Sequence, residues 1–178
     1  GDHAGLTPDY AAIPAEMRSV AACFGKEVLR EVDPKEFFAK LPSLRGKVSD
    51  RAILRAIHFF GDNDRVPQQV AALRRGDFDT FRALVVESGN SSSMYLQNVF
   101  STLHPERQEI SLALAICRQL LEPRKGAWRV HGGGFAGTVQ AFVPADFTEE
   151  FRSVMEDVFG KGSCYTLAVR PVGGVQIF

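Results

Sequence analysis

Arg129-Val130-His131-Gly132-Gly133-Gly134-Phe135-Ala136-Gly137-Thr138-Val139-Gln140-Ala141-Phe142-Val143 is the stretch that decides the fold of this 178-residue chain. Its flanks, 128–130 and 138–143, have strand composition, and the glycines between them mark a loop. Gly132, Gly134 and Gly137 satisfy the GxGxxG pattern, but a dinucleotide site needs a helix directly after the last glycine, so that its N-terminus meets the pyrophosphate. A strand follows here instead. Walker A is excluded because no Gly-Lys-Ser/Thr occurs. A protein-kinase glycine loop, which does lie between strands, is excluded by the missing lysine, catalytic-loop and metal-binding motifs. Three consecutive glycines remove Cβ atoms, so backbone amides can approach a ligand closely. Two readings stay open on these residues alone: a cradle for phosphate or substrate, or a hairpin that lets strands and a helix pack closely.

Outward on the C-terminal side, Asp146 and Glu149 form a capping-box pattern for a helix carrying Phe151, Val154, Met155 and Val158, which Gly160 and Gly162 end. Tyr165-Thr166-Leu167-Ala168-Val169 and Val175-Gln176-Ile177 flank Gly173-Gly174, a hairpin signal. On the N-terminal side the period changes at Pro123-Arg124-Lys125-Gly126, and residues 7–121 read as helical. A buried stripe after Pro14 runs through Met17, Val20, Ala21, Phe24 and Val28. Asp33-Pro34-Lys35-Glu36 caps a short helix that buries Phe37, Phe38 and Leu41. After Ser49, Ile53, Leu54, Ile57, His58 and Phe60 outline a third helix, which Gly61-Asp62-Asn63-Asp64 can interrupt, and Val66, Val70 and Leu73 continue the pattern. Gly76-Asp77 stops one helix and caps the next, with Phe78, Phe81, Leu84 and Val85 inward. Ser91-Ser92-Ser93 reads as a solvated turn. His104-Pro105-Glu106 opens the helix of Ile110, Leu114, Cys117 and Leu121. Helices on a small, mostly antiparallel sheet make an α+β fold, taken as one domain over residues 1–178, mainly helical over 7–121, with the glycine loop and sheet over 127–178.

Composition narrows the function classes. Lys and Arg together number 21, as do Asp and Glu, so no net field recruits nucleic acid or anionic lipid. No apolar run reaches membrane-spanning length, and a cytoplasmic protein is the expectation. Cys23, Cys117 and Cys164 lie far apart in apolar contexts and read as reduced core thiols, with no metal-ligand spacing. The opening glycine, without an initiator methionine, suggests that the natural chain extends upstream.

Residues 129–137 resemble the third signature motif of the galactokinases, in the GHMP small-molecule kinase superfamily, whose usual core is Gly-Gly-Gly-Phe-Gly-Gly; Ala136 is the one departure. Asp64-Arg65-Val66, Ala71 to Leu73, Gly76-Asp77-Phe78, Glu87-Ser88 with Ser92-Ser93-Met94, and Gly173-Gly174 are similar to further family segments in the same order, with Gly89 in place of a histidine. The resemblance implies the C-terminal half of an ATP-dependent sugar kinase with a ferredoxin-like arrangement. It also implies ATP and Mg2+ as cofactors, galactose or a related hexose as substrate, and an N-terminal kinase lobe as partner. His3-Ala4-Gly5-Leu6-Thr7-Pro8-Asp9-Tyr10 is similar to the strand-to-helix segment where the family places a tyrosine against the sugar, which implies Tyr10 as the sugar contact. The glycine match implies that Gly132, Gly133, Gly134, Phe135, Ala136 and Gly137 form the phosphate and substrate loop, with Arg129 and His131 supporting it. The family's asparagine and arginine pair after the tyrosine are replaced by Ala11, Ala12, Ile13 and Pro14. The family's sugar-recognition motif, its Pro-x-x-x-Gly-Leu-Ser-Ser-Ser loop and its catalytic aspartate have no counterpart, so no catalytic residue and no metal ligand is expected on this chain, which alone should be catalytically silent. Two other readings stand beside this one: a non-catalytic sugar-sensing or regulatory relative, and a small interaction domain with a fortuitous glycine hairpin.

Overall fold

A proline in the first turn, a short polar side chain before it, or both mark the starts of the first four helices. In the computed structural model, which describes residues 5–135 and 137–169, helix α1 spans Thr7–Ala22 with Pro8 in its first turn. Helix α2, Pro34–Leu44, is capped by Asp33, whose carboxylate accepts from the amides of Lys35 at 2.7 Å and Glu36 at 3.3 Å. Helix α3, Asp50–Arg74, is capped by Ser49 through the amide of Ala52. Helix α4, Phe78–Ser91, is capped by Asp77 through Thr80. Helix α5 spans Glu109–Leu121. Strands β1, Ala127–His131, and β2, Thr138–Phe142, pair antiparallel with Val130 opposite Val139 and His131 opposite Thr138. The result is mostly helical with a small antiparallel sheet, the α+β class read from the sequence.

The chain divides into two compact units, Gly1–Pro144 and Ala145–Phe178. In the first, Val20, Phe37, Leu44, Ile53, Ala56 and Phe60 form the main core, with the Phe37 and Phe60 rings 4.9 Å apart. A second cluster of Val99, Ile110 and Val130 lies under the sheet. Helices α4 and α5 both pack on β1. Gly89 makes the α4 approach feasible, since a Cβ there would stand 3.0 Å from Arg129 Cβ and 3.1 Å from the Trp128 carbonyl. The second unit holds a 3-10 turn, Ala145–Phe147, and helix α6, Thr148–Phe159, which ends at Gly160. The rings of Phe147 and Phe151 lie 6.4 Å apart in a T-shaped pair. No helix among the described residues is long and apolar enough to cross a membrane.

Several expectations are corrected. Helix α1 begins before Pro14 and runs through it, and the stripe stops short of Val28, which lies beyond the helix and is 44% exposed. Gly61-Asp62-Asn63-Asp64 does not interrupt α3. Asp62 is held there by Arg65 and by the Ser88 hydroxyl, and Asn63 by Arg30, so tertiary partners outweigh the local preference for a turn. Ser91 and Ser92 are buried, not solvated: α4 continues through Ser91 into a π-turn over Ser92–Leu96. The α5 helix starts at Glu109, because 101–107 is taken up by turns. Helix α6 has Phe147, with no side-chain cap bond, where the Asp146 and Glu149 box was expected, since Asp146 is used in the 3-10 turn. Cys117 is buried and Cys164 partly so, but Cys23 is exposed at the end of α1. Residues 165–169 carry no strand, and Ala136, Gly173-Gly174 and Val175-Gln176-Ile177 lie outside the described residues.

Candidate functional site

The glycine loop leaves β1 at His131 and re-enters the sheet at Thr138. Gly132, Gly134 and Phe135 all have positive φ, at 70°, 80° and 58°, a sequence of conformations that glycine supplies without steric cost. Phe135 adopts it only because its surroundings hold it: its N–H donates to the Asn98 carbonyl at 2.6 Å. Among the described residues no backbone carbonyl accepts from Gly132, Gly133 or Gly134 outside the strands. Successive amides of this kind, in alternating conformations, can form an anion-binding concavity.

Tyr10, in the first turn of α1, meets this loop from across the chain. Its hydroxyl donates to the Gly134 carbonyl at 2.8 Å, over a sequence separation of 124 residues. Its ring stands edge-on to Phe135 with centroids 5.1 Å apart. A Cβ on Gly133 would lie 2.7 Å from Tyr10 Cε1, so the tyrosine ring closes against the loop only because that position is glycine.

Helix α1, which carries Tyr10, is anchored by buried and half-buried polar contacts. Asp9 accepts from the Ser101 hydroxyl at 2.6 Å in a buried pair. Glu16, two turns further along α1, binds Arg51 at 2.5 Å and Arg55 at 2.9 Å, both on α3. The hydrogen bond to Glu16 holds the Arg51 guanidinium above its ordinary range. Burial pushes Arg55, only 2% exposed, below its ordinary value, and Glu16 opposes that shift. Arg55 Nε donates in turn to the Leu96 carbonyl at the end of the π-turn, at 3.1 Å. Gln97 then takes a left-handed conformation, φ 57°, and delivers Asn98 to the loop.

Of the site residues read from the sequence, the structure brings Tyr10 together with Gly133, Gly134 and Phe135. Arg129 turns along its own strand, its Nε donating to the Val130 carbonyl at 3.0 Å. His131 is exposed at the strand end beside the loop. No group of three or more His, Cys, Asp or Glu able to hold a metal occurs among the described residues. His58 Nδ1 lies 2.9 Å from the Ser91 hydroxyl and Nε2 3.5 Å from Asp62. This Ser, His and Asp arrangement is sealed, with Ser91 2% exposed, so it braces α3 against α4 and offers no nucleophile to a substrate. Sequence reading missed Asn98 and the Asp9 and Ser101 pair, whose partners lie 35 and 92 residues away. No period or motif marks such pairs.

Known proteins similar to this chain are galactokinases. Galactokinase from Homo sapiens is 33% identical over 165 residues, covering 92% of this chain and 38% of the relative. Galactokinase from Glaesserella parasuis is 29% identical over 159 residues, covering 89% of the chain and 39% of the relative. The chain is a relative of the galactokinases. It spans about two fifths of the length of these curated proteins. Its fold matches that of Lactococcus lactis galactokinase, solved as a complex with galactose, with a TM-score of 0.63 at 24% identity over 88% of this chain and 38% of that one. No family model matches.

Proposed function

We propose that this chain is the C-terminal part of a galactokinase-like sugar kinase, which moves the γ-phosphoryl group of ATP to a hydroxyl of galactose or a related hexose. The observation that carries this reading is the meeting of Tyr10 with the loop at Gly133, Gly134 and Phe135, two segments with galactokinase resemblance that lie 124 residues apart at Tyr10 and Gly134. The sugar would lie against Tyr10, beside the loop. The amides of Gly132 to Gly134 would face the phosphate of ATP, with Arg129 and His131 on the adjoining strand offsetting charge. ATP supplies the transferred phosphoryl group. In this reading the Mg2+ and the catalytic carboxylate are supplied by an N-terminal lobe that completes the site. What this chain contributes is position: it fixes the loop, orients the sugar face and limits water at the junction of sugar and phosphate. Cytoplasmic residence goes with this reading.

The test is phosphotransfer by the full natural protein. With ATP, Mg2+ and galactose, wild type should form sugar phosphate, and Gly133→Val should lower kcat/KM on the order of a hundredfold or more, because its side chain displaces the Tyr10 ring. Galactose binding by calorimetry without turnover would identify a sugar-sensing relative instead. That reading draws on Ala11 to Pro14, which replace the family's asparagine and arginine pair after Tyr10. Unchanged turnover in Gly133→Val would leave the loop a hairpin without a role in the reaction.

A further inference from the structure

We propose that Asn98 is the positioning residue that sets the glycine loop, gripping it at two successive peptides from a seat built by the π-turn. Its side-chain Nδ2 donates to the Gly133 carbonyl at 3.3 Å, and its own carbonyl accepts from Phe135 N–H at 2.6 Å. Between these two points Gly134, at φ 80°, sits so close that a Cβ would stand 2.7 Å from Asn98 Nδ2 and collide with its carbonyl oxygen. With Tyr10 on the Gly134 carbonyl, the carbonyls of Gly133 and Gly134 are both tied to side chains of the protein body. That fixes the orientation of the Gly133–Gly134 peptide plane, whose N–H belongs to the proposed cradle, and of the Gly134–Phe135 plane that follows it.

The choice of residue argues for a positioning role. Asn98 is 1% exposed, and its buried Oδ1 has no hydrogen-bond partner among the described residues. An orphaned buried acceptor is unfavourable, and an apolar side chain would avoid it. What asparagine gains over leucine at this position is the Nδ2 donor on Gly133. The seat is equally specific. The π-turn over Ser92–Leu96, a geometry frequent at functional sites, ends where Arg55 holds the Leu96 carbonyl, and the left-handed Gln97 then turns Asn98 inward. A path of contacts thus runs from Glu16 through Arg55 and Leu96 to Asn98 and the loop.

Asn98→Asp tests this in the full natural protein. A carboxylate has nearly the same shape but cannot donate to Gly133, whereas the protonated acid can. Hydrogen exchange followed on a peptide spanning residues 128–135 should show protection at pH 8 about tenfold lower than wild type, with recovery towards wild type at pH 5 and helix α3 unaffected. Where that variant fails to fold at pH 8, Asn98→Ser, which shortens the reach without adding charge, should show the same local loss without the acid recovery. Wild-type protection of the loop in both variants overturns the proposal, as does a loss shared equally by α3. The kinetic arm rests on the sugar kinase reading: kcat should fall on the order of tenfold in Asn98→Asp at pH 8 and recover on the acid side relative to wild type. A wild-type protein that phosphorylates no sugar defeats that reading while the exchange data still decide the clamp.

Discussion

The core around Phe37 and the clamp around Gly134 lie in the same compact unit but are held by different physics. Phe37 is fully buried among Val20, Leu44, Ile53, Ala56 and Phe60, side chains brought together by helical periodicity and by non-directional burial of apolar surface. The clamp consists of five residues, Tyr10, Asn98, Gly133, Gly134 and Phe135, from three distant segments, and its contacts are directional: two carbonyls, one amide and the donors or acceptor that meet them. Loss of the first should cost the fold. Loss of the second should cost only the placement of a loop. Phe37→Ala is therefore expected to have the largest effect, lowering unfolding stability by about 3–5 kcal/mol in chemical denaturation, through lost burial and a residual cavity. A loss under about 1 kcal/mol would show that the helices are held by something other than this cluster.

The same contrast explains what the sequence could disclose. Asp33, Ser49 and Asp77 announce their helices because a cap bonds amides two or three residues away, so the signal and its partner share one short window. The glycine loop and its flanking strands were legible because three glycines between strand-forming residues leave few alternatives, and Tyr10 because its neighbours resemble a known segment. Gly61 to Asp64 misled because the partners that keep α3 intact, Ser88 and Arg30, lie on other elements. Asn98 was invisible for the same reason, since its two partners are in the loop and its burial depends on a π-turn with no local signature. Ser91 and Ser92 have turn composition, yet tertiary packing buries them in a helix end.

His58 stands between the two regions, on α3 and bound to Ser91 near the start of the π-turn, and it makes their connection sensitive to pH. Burial depresses its pKa below the ordinary 6.5; Arg65 and Arg129 act in the same direction, while Asp62 opposes them. Above 6.5 histidine is neutral in folded and unfolded chains alike, so it imposes no pH dependence. As pH falls below 6.5 the unfolded chain takes up a proton that the folded chain resists, and stability declines until the folded-state pKa is reached. Thermal unfolding between pH 7.5 and pH 5 should therefore show a steeper acid-side decline for wild type than for His58→Gln. Equal slopes would mean that this bridge between core and clamp does not titrate.

The smallest expected effect isolates the clamp from the core. Tyr10→Phe removes the hydrogen bond from the hydroxyl to the Gly134 carbonyl and keeps the ring against Phe135 and Gly133. A single neutral hydrogen bond contributes about 0.5–1.5 kcal/mol net, so the denaturation midpoint should move little. Exchange at Phe135, whose N–H is held by the Asn98 carbonyl, should nevertheless accelerate several-fold, because the lost bond anchored the carbonyl of the same peptide plane. Were global stability to fall as far as in Phe37→Ala, the clamp would be part of the folding core and the distinction between the two regions would fail. Were neither quantity to move, Asn98 alone would hold the loop, and the Tyr10 hydroxyl would have no part in placing it.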